Sequence, residues 1–171
     1  SIYAAIRYTV GAGAYGYKGL GDVFVFLFFG LLSVLGSYFL YARSLNAALL
    51  LPACACGMLS TAVLNLNNMR DIQNDAHKGK RTLPVRIGLR AAKLYHYALI
   101  AGGASLMLCY SLLRGDSGVR LLYVISFVPL IWHLFFVLKV RECCDFDGQL
   151  KVVALCTFAM SALFFVGEIL G

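Results

Sequence analysis

The stretch AALLLPACACGMLSTAVLNL, Ala47 to Leu66, carries no charge along its length and passes directly into NNMRDIQNDAHKGKRTLPVRIG, Asn67 to Gly88. A helix needs about 20 apolar residues to cross the hydrocarbon layer. The first part therefore reads as a membrane span and the second as its polar mouth. Four more runs share the character of the first: Val23 to Tyr41, Ala91 to Leu113, Val119 to Val140 and Leu150 to Leu170. None alternates with the period of two that a membrane barrel strand requires. Turn residues divide them: a glycine series from Gly11 to Gly21, then Arg43 and Ser44, Gly115 and Asp116, and finally Asp145, Asp147 and Gly148. The expected fold class is all-α, a polytopic transmembrane helical bundle of five spans plus the end of a sixth, SIYAAIRYTV, at Ser1 to Val10.

Composition agrees. Of 171 residues, 61% are hydrophobic and 13% charged, and the mean hydropathy is +0.80. Water-soluble domains are near half apolar and a quarter charged, so an ordinary soluble enzyme is excluded, as are disordered and collagen-like chains. The 15 basic residues outnumber the 8 acidic ones, for a net charge of +7. Such an excess suits nucleic acid or an anionic membrane surface. Here the bases lie between apolar runs, so the lipid bilayer is the expected partner and nucleic acid is not.

Five crossings sort the bases. Arg7, Lys18, Arg70, Lys78, Lys80, Arg81, Arg86, Arg90, Lys93, Lys139, Arg141 and Lys151 fall on one side, against Arg43, Arg114 and Arg120 on the other. The side rich in Lys and Arg is cytoplasmic. Asp71, Asp75, Glu142, Asp145 and Asp147 share it, as does Asp22 at the mouth of the first span. The expected location is an integral membrane one, with the polar loops facing the cytoplasm. The six cysteines, Cys54, Cys56, Cys109, Cys143, Cys144 and Cys156, lie mostly inside apolar runs and read as small packed hydrophobes rather than a disulfide framework.

Chemistry concentrates in the polar mouth. Asn67, Asp71 and Asp75 follow i, i+4, i+8, with Asn68 three residues before Asp71. On a continuing helix these side chains share one stripe, a turn apart. Two carboxylates on adjacent turns repel each other unless a cation sits between them. Mg²⁺ takes oxygen ligands and is commonly held by one or two carboxylates together with substrate phosphates. Directly after the acids come Lys78, Lys80 and Arg81, cations suited to the outer oxygens of a phosphate. Acids for a metal, then bases for a phosphate, at a membrane surface, suit a diphosphate with a lipid tail. Each half alone is common, on solvated helices and in positive-inside loops respectively. Together, as NNxRDxxxDxxxGKRTLxVRxG, they are far more specific.

That combined segment resembles the second Asp-rich motif of the UbiA superfamily of intramembrane prenyltransferases. YTVGAGAYGYKGLGDVFVFLFFG, Tyr8 to Gly30, is similar to the loop and helix that precede it in the family. The resemblance covers essentially all of residues 1–171, as the C-terminal part of a single nine-helix transmembrane domain from late in its fourth helix onward. The family's first Asp-rich motif has no counterpart here. The N-terminal helices that carry it are the expected missing partner of half a site, and this stretch alone is expected to be inactive.

The resemblance implies that Mg²⁺ and the two motifs hold the diphosphate of an allylic polyprenyl donor. It makes Asp71 and Asp75 the catalytic metal ligands. Asn67 and Asn68 would orient the metal or a diphosphate oxygen, and Lys80, Arg81, Arg70 and Lys18 would contact the diphosphate. Tyr8 and Tyr17 become pocket walls, with interfacial anchoring as the plain alternative. Within the family, the paired Asn and the GKRTLxVRxG tail favour 1,4-dihydroxy-2-naphthoate as aromatic acceptor, with loss of CO₂ to give a demethylmenaquinone in menaquinone biosynthesis. 4-Hydroxybenzoate and homogentisate are alternative acceptors. From another class, the chain could be a non-catalytic membrane module or transporter fragment.

Other signals are weaker. Gly11, Gly13 and Gly16 spell GxGxxG, but no strand precedes them and a span follows, against a dinucleotide loop. Asp22 reads as a helix-start carboxylate favoured by the dipole, with metal contact as the alternative. His77 reads as a solvated loop residue, and His96 and His133 as packed polar residues near span ends. Cys143 and Cys144 form a vicinal pair poorly suited to tetrahedral zinc. The run Phe24, Phe26, Phe28, Phe29 faces lipid or, in part, lines a groove for an isoprenoid tail.

The orientation is testable in a cysteine-free full-length protein. A cysteine replacing Lys78 should react with an impermeant maleimide in inside-out vesicles but not in intact cells, and one replacing Ser117 should do the reverse. The opposite pattern would invert the topology.

Overall fold

A computed structural model describes residues 19–140 and 146–171. Tyr8, Tyr17, Lys18, Cys143 and Cys144 lie outside the described residues. Among the described residues every regular element is helical. The first span, α1, covers Gly21–Ala42. Ala47–Leu49 forms a 3-10 turn capped by Asn46, whose Oδ1 accepts the Ala48 N–H at 3.0 Å, and leads into α2, Leu50–Arg70. A short helix α3, Ile72–His77, precedes α4, Leu83–Arg114. The fourth span opens as a 3-10 segment, Gly118–Ser126, and continues as α5, Phe127–Lys139; the fifth is α6, Asp147–Leu170. Five helices are thus long and apolar enough to cross a membrane, as the five runs anticipated.

One boundary differs from the sequence expectation. The third run begins at Ala91, whereas α4 begins at Leu83, because Thr82 takes an extended N-cap backbone and Pro84 sits in the first turn, where a missing N–H breaks no helical bond. The helix is interrupted at Gly88, whose φ of +81° is a region that glycine enters without strain. The turn before Gly88 belongs to the polar mouth and the rest to the span.

At the centre is α2, which packs against α1, α4 and α6. Its buried positions go nearly all round, and many are small: Ala53, Ala55, Gly57, Thr61 and Ala62. Between apolar helices in lipid, small residues let backbones approach and gain dispersion contacts. A Cβ on Gly30 of α1 would lie 2.6 Å from Gly57 Cα, and one on Gly57 would lie 2.8 Å from the Phe26 ring. The seam sits in a π-helical stretch of α1, Phe26–Leu32, which the apolar pattern does not announce. The aromatic run accordingly divides: Phe26 covers Gly57, whereas Phe29 is 64% exposed. The cysteine expectation holds only in part. Cys156 is buried and Cys54 and Cys56 half-buried, but Cys109 is exposed. On α4, Met107, Tyr110 and Ser111 face the core, which turns Cys109 outward.

Some polar groups inside the bundle pair across helices. His96 Nε2 of α4 and His133 Nε2 of α5 share a hydrogen bond of 2.8 Å, and His133 Nδ1 lies 2.7 Å from Gln149 Oε1 of α6. At the opposite end of the bundle, Arg114 Nη2 donates to Glu168 Oε2 at 2.8 Å. Asp116 Oδ1 lies 3.4 Å from Arg114 Nε and 3.8 Å from Arg120 Nη1.

Because backbone blocks the space beside Gly30, Gly30→Ala should lower unfolding stability in detergent by about 1–3 kcal/mol. Gly36→Ala, whose nearest neighbour is a side-chain atom at 3.8 Å, serves as the control and should change little. Equal behaviour of the two variants would refute the close α1–α2 seam.

Candidate functional site

The polar mouth is built where α2 stops without the chain changing direction. Asp71 leaves helical geometry at φ −93°, ψ 10°. Helical bonding nevertheless bridges it: the Asp71 N–H donates to Asn67 O at 3.0 Å and the Asp75 N–H to Asp71 O at 2.8 Å. Asn67, Asp71 and Asp75 therefore follow one another turn by turn, across a break rather than along one unbroken helix. At the end of α3, Lys80 N–H bonds Asp75 O at 2.9 Å and Gly79 N–H bonds Ala76 O at 3.1 Å, with Gly79 at φ +70°. This Schellman closure needs glycine at the left-handed position and folds Lys80 back over the helix. The Lys80 ammonium ends 3.1 Å from Asp75 Oδ1, on a carboxylate whose residue is only 4% exposed.

Arg70 organises the other acid. Its Nε donates to Asp71 Oδ1 at 3.0 Å and its Nη2 to Asp71 Oδ2 at 2.9 Å, a bidentate pair. The same Nη2 reaches Asn67 Oδ1 at 2.9 Å, while Nη1 reaches Asp147 Oδ1 of α6 at 2.9 Å. The Asp71 carboxyl is held below the ordinary carboxylate range, chiefly by the Arg70 hydrogen bonds and then by the nearby charges of Arg70, Lys80 and Lys78. Asn68 is buried beside Met69, while Lys78, Arg81 and His77 are exposed. His77 is thus on the surface as expected, though it closes α3 rather than lying in a loop.

Two further features reach this mouth. Gly19, just before α1, sits so close to the Arg81 carbonyl that a Cβ would lie 2.6 Å from it, which docks the start of α1 on the basic loop. Lys18, expected there, lies outside the described residues. A cleft of about 470 Å³ runs between α1, α2 and α6, walled by Val25, Phe29, Val63, Leu64, Leu150 and Ala154 and touching Asn67. Asp22 is 7% exposed, and the Thr61 hydroxyl, which bonds Gly57 O at 2.8 Å, also lies 3.4 Å from the Asp22 backbone carbonyl. Asp22 lies at the start of α1 as expected, against α2. Of the residues that sequence motifs singled out, Asn67, Arg70, Asp71, Asp75 and Lys80 are brought into direct ion-pair and hydrogen-bond relations. Asp147 was missed as a site residue, since no local pattern links it to a residue 77 positions away.

The donor set consists of two carboxylates and two amide oxygens, all hard ligands. Among the described residues no group of three or more His, Cys, Asp or Glu forms a closed metal cage. A cation gripped by Asp71 and Asp75 would thus complete its shell from water or a substrate phosphate, the pattern Mg²⁺ favours. Both acids already carry a basic partner, so the mouth is a place where positive charge is stabilised.

The chain matches the UbiA prenyltransferase family over residues 1–146. Over all 171 residues it is 39% identical to the 1,4-dihydroxy-2-naphthoate octaprenyltransferase of Haemophilus influenzae, covering 56% of that protein. Over 139 residues, 81% of this chain, it is 47% identical to the Escherichia coli protein of the same name, covering 45% of it. It is also 30% identical over 127 residues, 74% of this chain, to UbiA prenyltransferase domain-containing protein 1 of Ailuropoda melanoleuca, 36% of which is covered. The chain spans about half the length of the curated relatives it matches. No solved structure matches it.

Since Arg70 holds the Asp71 carboxyl low, their interaction contributes stability above the unfolded-state pKa of about 4 and is lost as pH falls through the lowered folded value. Arg70→Gln should move the Asp71 titration up toward the ordinary range, read by carboxyl ¹³C shifts. An unmoved titration would show that Arg70 does not hold Asp71 in solution.

Proposed function

This chain belongs to the UbiA prenyltransferase family, and from that premise we propose that it is the C-terminal part of a single transmembrane prenyltransferase domain. The whole enzyme transfers a polyprenyl group from an allylic polyprenyl diphosphate to 1,4-dihydroxy-2-naphthoate, with loss of CO₂, in menaquinone biosynthesis. The acceptor follows from relatives that carry that substrate in their names at 39% and 47% identity. The observation that carries the reading is the cluster Arg70, Asp71, Asp75 and Lys80 at the mouth of a span, beside an apolar cleft that reaches Asn67.

In this reading Asp71 and Asp75 hold Mg²⁺, with Asn67 and Asn68 orienting the metal or a diphosphate oxygen. Bound there, the ion supplies charge neutralisation for the departing diphosphate. Lys80, Arg81 and Arg70 face the growing negative charge, and fixed cations aimed at it stabilise the transition state more than the ground state. Lys18, Tyr8 and Tyr17 complete the diphosphate and acceptor walls. The isoprenoid tail lies in the cleft between α1, α2 and α6, where apolar walls match its chemistry. The allylic C–O bond breaks with its electron pair leaving on diphosphate, and a ring carbon of the naphthoate bonds to the allylic carbon. The carboxylate leaves that ring carbon as CO₂, and its bonding electrons restore the aromatic ring.

The mouth faces the cytoplasm of a bacterial inner membrane, on the Lys and Arg bias of the loops. A transporter would place its site near the bilayer midplane in broken helices, whereas this cluster sits at the end of α2. The first Asp-rich motif is supplied by helices N-terminal to this stretch, so residues 1–171 alone should form no product.

In the full-length enzyme, Asp75→Asn should lower turnover by about 100-fold or more at saturating donor and acceptor. Near-normal turnover at saturating Mg²⁺ would overturn the metal assignment. Prenylation of 4-hydroxybenzoate or homogentisate in preference to the naphthoate would overturn the acceptor.

A further inference from the structure

We propose that Asp147 is a positioning residue of the Asp71–Asp75 site: it holds Arg70 from a second side, so that Arg70, Asp71 and Asp147 together present a net negative charge to a divalent cation. The inference rests on the reading of Asp71 as a metal ligand given above. Arg70 occupies both oxygens of Asp71, the same oxygens a metal needs. An arginine and an aspartate alone form a closed, neutral pair, and a cation arriving at such a pair must displace the guanidinium. Asp147 changes that balance. It takes Nη1 at 2.9 Å, so that one positive charge is shared between two carboxylates and the trio keeps a net negative charge. A neighbouring cation then completes the trio instead of competing for a neutral pair.

The placement of Asp147 is built, not incidental. It is the first residue of α6, and the residue before it, Phe146, is fully buried with the Lys93 ammonium 5.9 Å from its ring centroid. Two residues after it, Gln149 is fastened to His133, which is fastened in turn to His96. The first turn of α6 is thus anchored to α4 and α5 on both sides of Asp147, whose own side chain stays 76% exposed. At that exposure the Arg70 pair adds little to stability, so its effect is on geometry and charge. The plain rival role is that of an acid favoured by the helix dipole in the first turn.

A double-mutant cycle in the full-length enzyme separates the two roles, with Mn²⁺ binding followed by electron paramagnetic resonance beside prenyl transfer. Asp147→Asn should weaken Mn²⁺ binding and lower kcat/KM for the diphosphate by about tenfold, with its thermal midpoint unchanged and with Asp147→Glu restoring most of both. Arg70→Gln should bind Mn²⁺ at least as tightly as the parent, and adding Asp147→Asn to it should change nothing further. Equal effects of Asp147→Asn in both backgrounds, or unaltered Mn²⁺ affinity, would overturn the inference while leaving the enzymatic reading intact. A parent enzyme that transfers no prenyl group, or an Asp75→Asn variant that binds Mn²⁺ normally, would overturn both.

Discussion

At the inner end of α2, the guanidinium of Arg70 meets Asp71 and Asn67 from its own chain segment and Asp147 from α6, every contact within 3.0 Å. Such a contact pattern needs the planar fork of arginine; a lysine offers one compact charge and no fixed geometry. It ties the inner end of α2 to the first turn of α6. Beneath it, the glycine turn after α3 returns Lys80 to Asp75, so each acid is met by a base placed by backbone geometry. The mouth thus holds two acids and two bases in paired geometry at the end of one span.

Within the bilayer the bundle follows a different rule. Lipid tails are as apolar as leucine, so helices gain little from hydrophobic burial against one another and more from close packing and paired polar groups. The Gly30–Gly57 approach is one device. The His96–His133–Gln149 chain is another, since each imidazole in a medium without water must find its partner on a neighbouring helix. Asn65 does the same on a smaller scale by donating to the Ala92 carbonyl at 3.0 Å. Together these contacts fasten α4, α5 and α6 around α2.

How much of this was legible in the sequence depends on the range of the signal. Spans of some twenty apolar residues are local, and all five fall where the runs place them. The order Asn67, Asp71, Asp75 is local too, and its turn-by-turn succession survives a break that the spacing did not show. The kink at Gly88, the widened turns at Phe26–Leu32 and the outward face of Cys109 depend on how neighbouring helices seat, which one helix's pattern does not report. The partnership of His96 with His133, 37 residues apart, and of Arg70 with Asp147 are side-chain meetings made by the tertiary fold. Position near span ends reads both histidines as packed, and the alternation of loops reads Asp147 as cytoplasmic, but neither signal names their partners.

The ends of α6 carry a consequence for how the chain is assembled. Asp147 meets Arg70 at one end, and Glu168 meets Arg114 at the other. The 21 residue steps from one acid to the other rise about 31 Å, close to the thickness of the hydrocarbon layer. Both arginines belong to helices that leave the ribosome earlier, each already beside an acid of its own segment, Asp71 and Asp116. When α6 emerges, it reaches both at once in a single register, so its two terminal acids give the late helix a depth reference against the earlier ones.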